Sequence, residues 1–142
     1  HRDHLDEKSL KLLSGNNKHA KYLTGLNMKE LVKKFTNSEF IEEAGWYQDY
    51  RTGRDDLKIT FIPSRHWSRR GLRDTNSRLW GGFVIEASGN RIFFGGDSGY
   101  DSHYRQLSAL FPSFDFVYQN LLGDCHGHQR DKIRREVRKK RK

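Results

Sequence analysis

Residues 58–100 constrain this chain most, because they read as strands that end in a histidine at one place and an aspartate at another. Leu57-Lys58-Ile59-Thr60-Phe61-Ile62 alternates polar and apolar side chains and is rich in β-branched and aromatic residues, the pattern of a half-buried strand. Pro63 ends it, and the loop that follows carries Ser64, Arg65, His66, Trp67 and Ser68. A basic loop over 69–78 leads into two apolar runs, 79–86 and 91–94, which Ser88-Gly89-Asn90 joins as a hairpin. The second run closes in Gly95-Gly96-Asp97-Ser98-Gly99-Tyr100, an acid at a strand end among glycines, where backbone can approach a ligand closely. Presenting side chains from separate strand ends is a common way for an α/β fold to build a site.

The flanking segments read mainly as scaffold. His1-Arg2-Asp3-His4-Leu5-Asp6 is the densest cluster of imidazole and carboxylate groups in the chain. Its spacing suits zinc or a similar divalent ion, and suits a solvated polar terminus equally well. Asp6 is placed to cap a helix over 7–13 that Ser14-Gly15 ends. A short strand is predicted at 20–23, and His19 reads as a surface histidine. Asn27, with Glu30 three residues on, reads as a capping box for a helix with Leu31, Val32 and Phe35 inside. Residues 36–50 are weakly patterned, with Ile41, Trp46 and Tyr47 available to pack, and 51–56 form a polar turn. A further helix is predicted over 101–110 and a strand over 114–118.

The net charge of +9 suggests a nucleic-acid partner until it is located. Residues 129–142 hold nine Lys and Arg against two acids, so the preceding residues carry only about +2, ordinary for a globular domain. A run this charged is expected to be a disordered interaction tail. It lacks interleaved aromatics, so nucleic-acid binding is not expected of the fold itself. At 34% hydrophobic and 13% aromatic, the 142 residues can sustain one modest core. The one cysteine, Cys125, excludes an internal disulfide and a cysteine-based zinc motif. No run reaches the roughly 18 apolar residues of a membrane span, and no leader is visible. A cytoplasmic protein is expected, with peripheral contact to a membrane surface left open.

Taken together, the blocks resemble the metallo-β-lactamase-fold hydrolases. His1-Arg2-Asp3-His4-Leu5-Asp6 is similar to the end of the H-x-H-x-D-H signature of that family. Ile62-Pro63-Ser64-Arg65-His66-Trp67-Ser68, Leu79-Trp80-Gly81-Gly82-Phe83-Val84-Ile85-Glu86 and Phe93-Phe94-Gly95-Gly96-Asp97-Ser98-Gly99-Tyr100 narrow the match. They resemble the branch of N-acylphosphatidylethanolamine-hydrolysing phospholipase D and its bacterial relatives. The resemblance covers residues 1–120 and implies an α/β fold, a partial αββα sandwich whose mixed sheet is flanked by helices. Residues 121–142 would be a basic tail foreign to the family. It further implies two zinc ions. His1 and His66 would serve the first, with a histidine expected two residues before His1; Asp3 and His4 would serve the second, and Asp97 would bridge both. Asp97 and Asp3 are the residues implied for catalysis. The family's late histidine has no matching context after Asn120, although His126 and His128 are present, and the second half of the sandwich is not found. The resemblance therefore implies a zinc hydrolase as the parent function, a partial site with poor activity in the isolated chain, and an exposed sheet face.

Two cations sharing a carboxylate acidify a water and stabilise charge on a phosphate oxygen. Arg65, Arg69, Arg70 and Arg73 around His66 suit a phosphate head group as well as they suit a solvated loop. Asp6 is an available acceptor for the ring of a liganding histidine. Trp67 and Trp80 read as packing residues rather than substrate platforms, and His103 as a surface helix position. The implied substrate is a small-molecule or phospholipid phosphodiester. A lactonase acting on a phosphorylated sugar is the neighbouring alternative. An inactive fragment with a nucleic-acid-binding tail is the alternative of another class, and the oligomeric state is left open.

Overall fold

The computed structural model describes residues 5–69, 71 and 74–121. In chain order the elements are α1 (Glu7–Asn16), β1 (Tyr22–Gly25), α2 (Lys29–Thr36), β2 (Ile41–Ala44) and β3 (Gln48–Asp49), then β4 (Leu57–Ile62), β5 (Gly82–Ala87), β6 (Asn90–Ser98), α3 (His103–Leu110) and β7 (Phe116–Leu121). Leu121 apart, the basic tail expected from 121 onward lies outside the described residues, so that expectation is not addressed by the structure. Among the described residues, no helix is long and apolar enough to cross a membrane.

Asp6 caps α1 as its position predicts, its Oδ2 accepting from the Ser9 backbone N–H and hydroxyl, both at 2.8 Å. The Ser9 N–H holds the Asp6 carboxyl below its ordinary range. The start of α2 departs from the sequence reading. Asn27 takes a left-handed φ of 65° and its side chain turns away to the Ser77 carbonyl. The orphan N–H groups of Met28 and Lys29 instead reach Oε1 of Glu43 on β2, at 2.6 and 2.7 Å. A capping carboxylate supplied by a neighbouring strand replaces the local capping box. It ties α2 to the parallel pair β1–β2, in which Tyr22 lies opposite Ile41 and Gly25 opposite Ala44.

The second sheet has the order β3-β4-β5-β6-β7, antiparallel except for the parallel pair β6–β7 that α3 connects. Ala87 and Asn90 pair across the predicted hairpin, and Ser88 and Gly89 take φ values of 50° and 79°, the two positive angles of a type I′ turn. β4 matches its predicted span, whereas β5 starts only at Gly82. β6 runs past the expected residues 91–94 to Ser98, so Asp97 sits within a strand rather than in the loop beyond it. Glycine is required where β5 and β6 meet, because a Cβ on Gly82 would lie 2.4 Å from the Phe94 carbonyl oxygen.

Register sorts the side chains onto two faces. Ile62, Val84 and Phe93 point to one face and bury with Leu107 of α3, with Tyr104, Phe111 and Phe114 packed around them. Phe61 points to the other face and buries with Ala44 and Tyr50, flanked by Leu23, Ile59, Leu79 and Phe83. Farther along that second face the cover runs out. Phe94, Phe116 and Tyr118 stay 42%, 62% and 66% exposed, with Phe94 and Tyr118 stacked at 5.1 Å. The exposed sheet face expected from the sequence thus occurs along β6 and β7 among the described residues.

At the head of α3, His103 is half-buried, with Nε2 3.1 Å from the Ser98 hydroxyl and its ring 4.1 Å from that of Tyr104. It is not the exposed helix position expected from the sequence. Burial lowers its pKa, with Arg65 adding to the effect and Asp101 opposing it. The Asp101 carboxyl is itself held low, first by the Ser102 N–H and then by Arg65, whose Nη1 lies 2.6 Å away.

Ile62 is 1% exposed, so Ile62→Ala is expected to lower unfolding free energy by about 2–5 kcal/mol, read from urea midpoints at unchanged m. His103 generates a pH prediction. Its folded pKa lies below the unfolded value of about 6.5, so between the two the unfolded chain binds more protons. The stability it contributes is complete above that value and is lost as pH falls through the lowered one. Thermal midpoints should therefore fall between pH 7.5 and 5 more in the parent chain than in His103→Gln. The Asp101 contribution is lost only near and below its ordinary value of 3.8, outside that window.

Candidate functional site

His66 and Asp97 line one cleft of about 520 Å³, whose wall also includes Leu5, Trp67, Arg69, Arg78, Phe94 and Tyr118. They arrive from different places. His66 stands in the long connection after β4, and Asp97 near the end of β6. A one-residue-pair antiparallel bridge between Arg65 and Gly99 brings them together, with the Gly99 N–H donating to the Arg65 carbonyl at 2.9 Å. The Arg65 N–H in turn donates to the Ser98 hydroxyl at 2.9 Å. Ser98 is 1% exposed, so this contact is shielded from competing water.

The connection is pinned along its length. Trp80 Nε1 donates to the Ser64 carbonyl at 3.1 Å, and Trp46 Nε1 to the Trp80 carbonyl at 2.7 Å, the two indoles meeting edge to face. Ser68 accepts at its carbonyl from the Asn76 N–H and donates its hydroxyl to the Arg78 carbonyl, both at 2.7 Å. Trp80 is thus the packing residue expected, but Trp67 is not. Trp67 is 45% exposed and lies parallel to the His66 ring, 7° between planes, at the cleft.

On the β6 side the pairing with β7 shifts register between Phe94 and Gly96, and Gly96 takes a left-handed φ of 60°. Such a bulge re-aims the next side chain, here Asp97, whose Oδ1 is buried. On the other side, the ring nitrogen Nδ1 of His66 is 2.8 Å from the Trp67 carbonyl. A carbonyl only accepts, so Nδ1 carries the proton and the lone pair of the neutral ring falls on Nε2. A backbone acceptor that fixes the tautomer is the usual outer partner of a metal-binding imidazole. Trp67 supplies it, whereas Asp6 is engaged in capping α1.

Of the predicted ligands, the structure therefore unites His66 and Asp97. His1, Asp3 and His4 lie outside the described residues, although Leu5, the residue after His4, lines the cleft. Among the described residues, no group of three or more His, Cys, Asp or Glu side chains is gathered for a metal. The two donors nonetheless fit a divalent ion in kind: an imidazole with a directed lone pair and a carboxylate with a buried oxygen. His19 is exposed, as expected, and does not line the cleft. His126 and His128 lie outside the described residues.

The arginines divide. Arg69 lines the cleft with its Nε donating to the Gly71 carbonyl, Arg65 pairs with Asp101, and Arg70 and Arg73 lie outside the described residues. Arg78, which the sequence reading passed over, also lines the cleft and is held by Asp74 at 2.6 Å. Ser98 was missed as well. Its place directly after Asp97 was the one signal available, and nothing local distinguishes it from other serines in the chain.

Residues 1–131 match the β-lactamase superfamily domain. The chain is 29% identical over 124 residues to N-acyl-phosphatidylethanolamine-hydrolyzing phospholipase D 1 of Caenorhabditis elegans, covering 82% of this chain and 35% of the worm protein. It is 33% identical over 103 residues to the mitochondrial N-acyl-phosphatidylethanolamine-hydrolyzing phospholipase D of Saccharomyces cerevisiae, covering 70% and 22%. It thus spans about a third or less of the length of these relatives. The structure of Igni18, a metallo hydrolase from the archaeon Ignicoccus hospitalis, superposes with a TM-score of 0.52 at 21% identity, covering 78% of this chain and 44% of that one. The mixed sheet with flanking helices and the match across residues 1–131 place this chain in the β-lactamase superfamily, with the metallo-β-lactamase-like fold and with sequence similarity to the N-acyl-phosphatidylethanolamine-hydrolyzing phospholipases D.

Proposed function

We propose that this chain carries part of the active site of a zinc-dependent phosphodiesterase that acts on an N-acylated phospholipid. The observation that carries the reading is the convergence of His66 and Asp97 on a cleft that the segment following His4 also reaches. In this reading His1 and His66 would hold one ion, Asp3 and His4 a second, and Asp97 would contribute to both. When bound, the ions supply Lewis-acid charge that polarises a phosphodiester and acidifies a water.

The residues of the chain orient the rest. The Trp67 carbonyl keeps the proton of His66 on Nδ1. Arg69 and Arg78 bring positive charge to the cleft wall, where an anionic head group gains charge-assisted hydrogen bonds. Leu5, Trp67, Phe94 and Tyr118 provide an apolar wall beside them. An amphiphile with a phosphate next to acyl chains matches both halves of that lining better than a phosphorylated sugar does, which favours the phospholipid over the lactone substrate.

The basic residues at 129–142 suit attraction to an anionic membrane surface as well as they suit nucleic acid.

Release of phosphatidic acid from N-acylphosphatidylethanolamine micelles tests this proposal. Turnover by the isolated chain is expected to be low, because it carries only part of the site, and what turnover there is should require zinc and stop on chelation. Asp97→Ala should lower it by more than the roughly 10–100-fold typical of losing an outer-shell partner. Turnover unaffected by chelation, or a chain that opens lactones and leaves the phosphodiester intact, would overturn it.

A further inference from the structure

We propose that Ser98 is a positioning residue of the site, its hydroxyl clamping the His66 loop to the Asp97 strand with His103 as its second partner. The proposal rests on the metal-centre reading above and adds a residue to it. The Ser98 hydroxyl lies 2.9 Å from the Arg65 N–H, 2.8 Å from the Gly99 carbonyl and 3.1 Å from His103 Nε2. A hydroxyl has one proton to give and two lone pairs to offer. Donating to Gly99 leaves it to accept from Arg65 and from a protonated Nε2 of His103, so all three contacts are satisfied together.

The connectivity gives this small group its reach. Ser98 follows Asp97, and Arg65 precedes His66, so one side chain joins the backbone neighbours of two ligands from opposite sides of the cleft. Beyond it, the Gly99 N–H to Arg65 carbonyl bond and the Arg65–Asp101 ion pair, at 2.9 and 2.6 Å, share the same junction. At 1% exposure, the hydroxyl is reached by little solvent that could stand in for it. On its removal the part-buried Arg65 N–H would lose its acceptor, a cost that the loop relieves by moving away from the strand. Displacing the loop displaces His66 relative to Asp97.

Amide hydrogen exchange on the metal-free chain reads the clamp directly. In Ser98→Ala, protection at Arg65 and Gly99 should fall several-fold, up to about tenfold, while Val84 and Phe93 in the core keep theirs. Unchanged protection at Arg65 and Gly99 overturns the clamp. Titration with Co2+, followed by its visible absorption, reads the consequence. Affinity in Ser98→Ala should fall about 10–100-fold with an altered spectrum. Lost protection with unaltered affinity and spectrum overturns the positioning role.

Should Ser98→Ala fail to fold, the wild-type chain carries the test, because coupling between sites is reciprocal. Saturating Co2+ must then slow exchange at Arg65 and Gly99, and no change there overturns the proposal. An Asp97→Ala chain that binds Co2+ as tightly as wild type would instead overturn the metal-centre reading. The exchange results would stand apart from that failure, so the two are distinguishable.

Discussion

The bridge between Arg65 and Gly99 is the contact on which the cleft depends. The connection from β4 to β5 is long, its described residues form no helix or named strand, and loops of that length are usually functional when they are ordered at all. Ordering it costs backbone entropy, about 1–2 kcal/mol per residue. The compensation comes from a few specific anchors: the Ser98 hydroxyl, the Trp80 and Trp46 indoles, and Ser68 with Asn76 and Arg78. Ser98 and Trp46 reach in from elsewhere in the fold, whereas Trp80, Ser68, Asn76 and Arg78 belong to the connection and tie it to itself. The histidine is therefore held both by contacts within its own loop and by the sheet, through Ser98.

The sheet makes this rigid by putting a different core on each face. Ile62, Val84 and Phe93 face α3, while Phe61 and Phe83 face the β1–α2–β2 unit. β4, β5 and β6 cannot slip by a residue without exchanging those sets, which fixes the register near the site. The bulge at Gly96 interrupts this regularity where the chain needs it interrupted, one residue before Asp97. The same face that is covered near Tyr50 is open near Phe94 and Tyr118, and the open part adjoins the cleft. Apolar surface left beside a polar site is where an amphiphilic ligand can bury its tail.

Charge in this protein is local. Glu43 caps a helix it does not belong to, Asp74 orients Arg78 at the cleft, and Asp101 draws Arg65 away from it. Four arginines near His66 in sequence look equivalent. Of the two that fall among the described residues, one faces the cleft and the other is committed to an acid on a different loop.

Much of the fold was legible in the chain. The alternation in β4, the turn chemistry of Ser88-Gly89 and the capping position of Asp6 are local signals, and local physics sets them. The pairing of His66 with Asp97 was also foreseeable, but through resemblance of whole blocks rather than from spacing. The cap of α2 was misread because its acceptor is Glu43, brought in by parallel strand pairing. The reach of β6 to Ser98 was underestimated for a similar reason: glycines argue against a strand locally, and only the partner β7 and the bulge accommodate them. His103 was read as an exposed helix position because its burial is created by Ser98 and Tyr104 packing around it. By itself, then, the sequence determined which residues could form strands, turns and caps, and which side chains had ligand chemistry to offer. Long-range packing alone set Ser98 between the segments that carry His66 and Asp97 and turned Arg78 to the cleft. Those contacts join residues far apart along the chain, and no local preference encodes them.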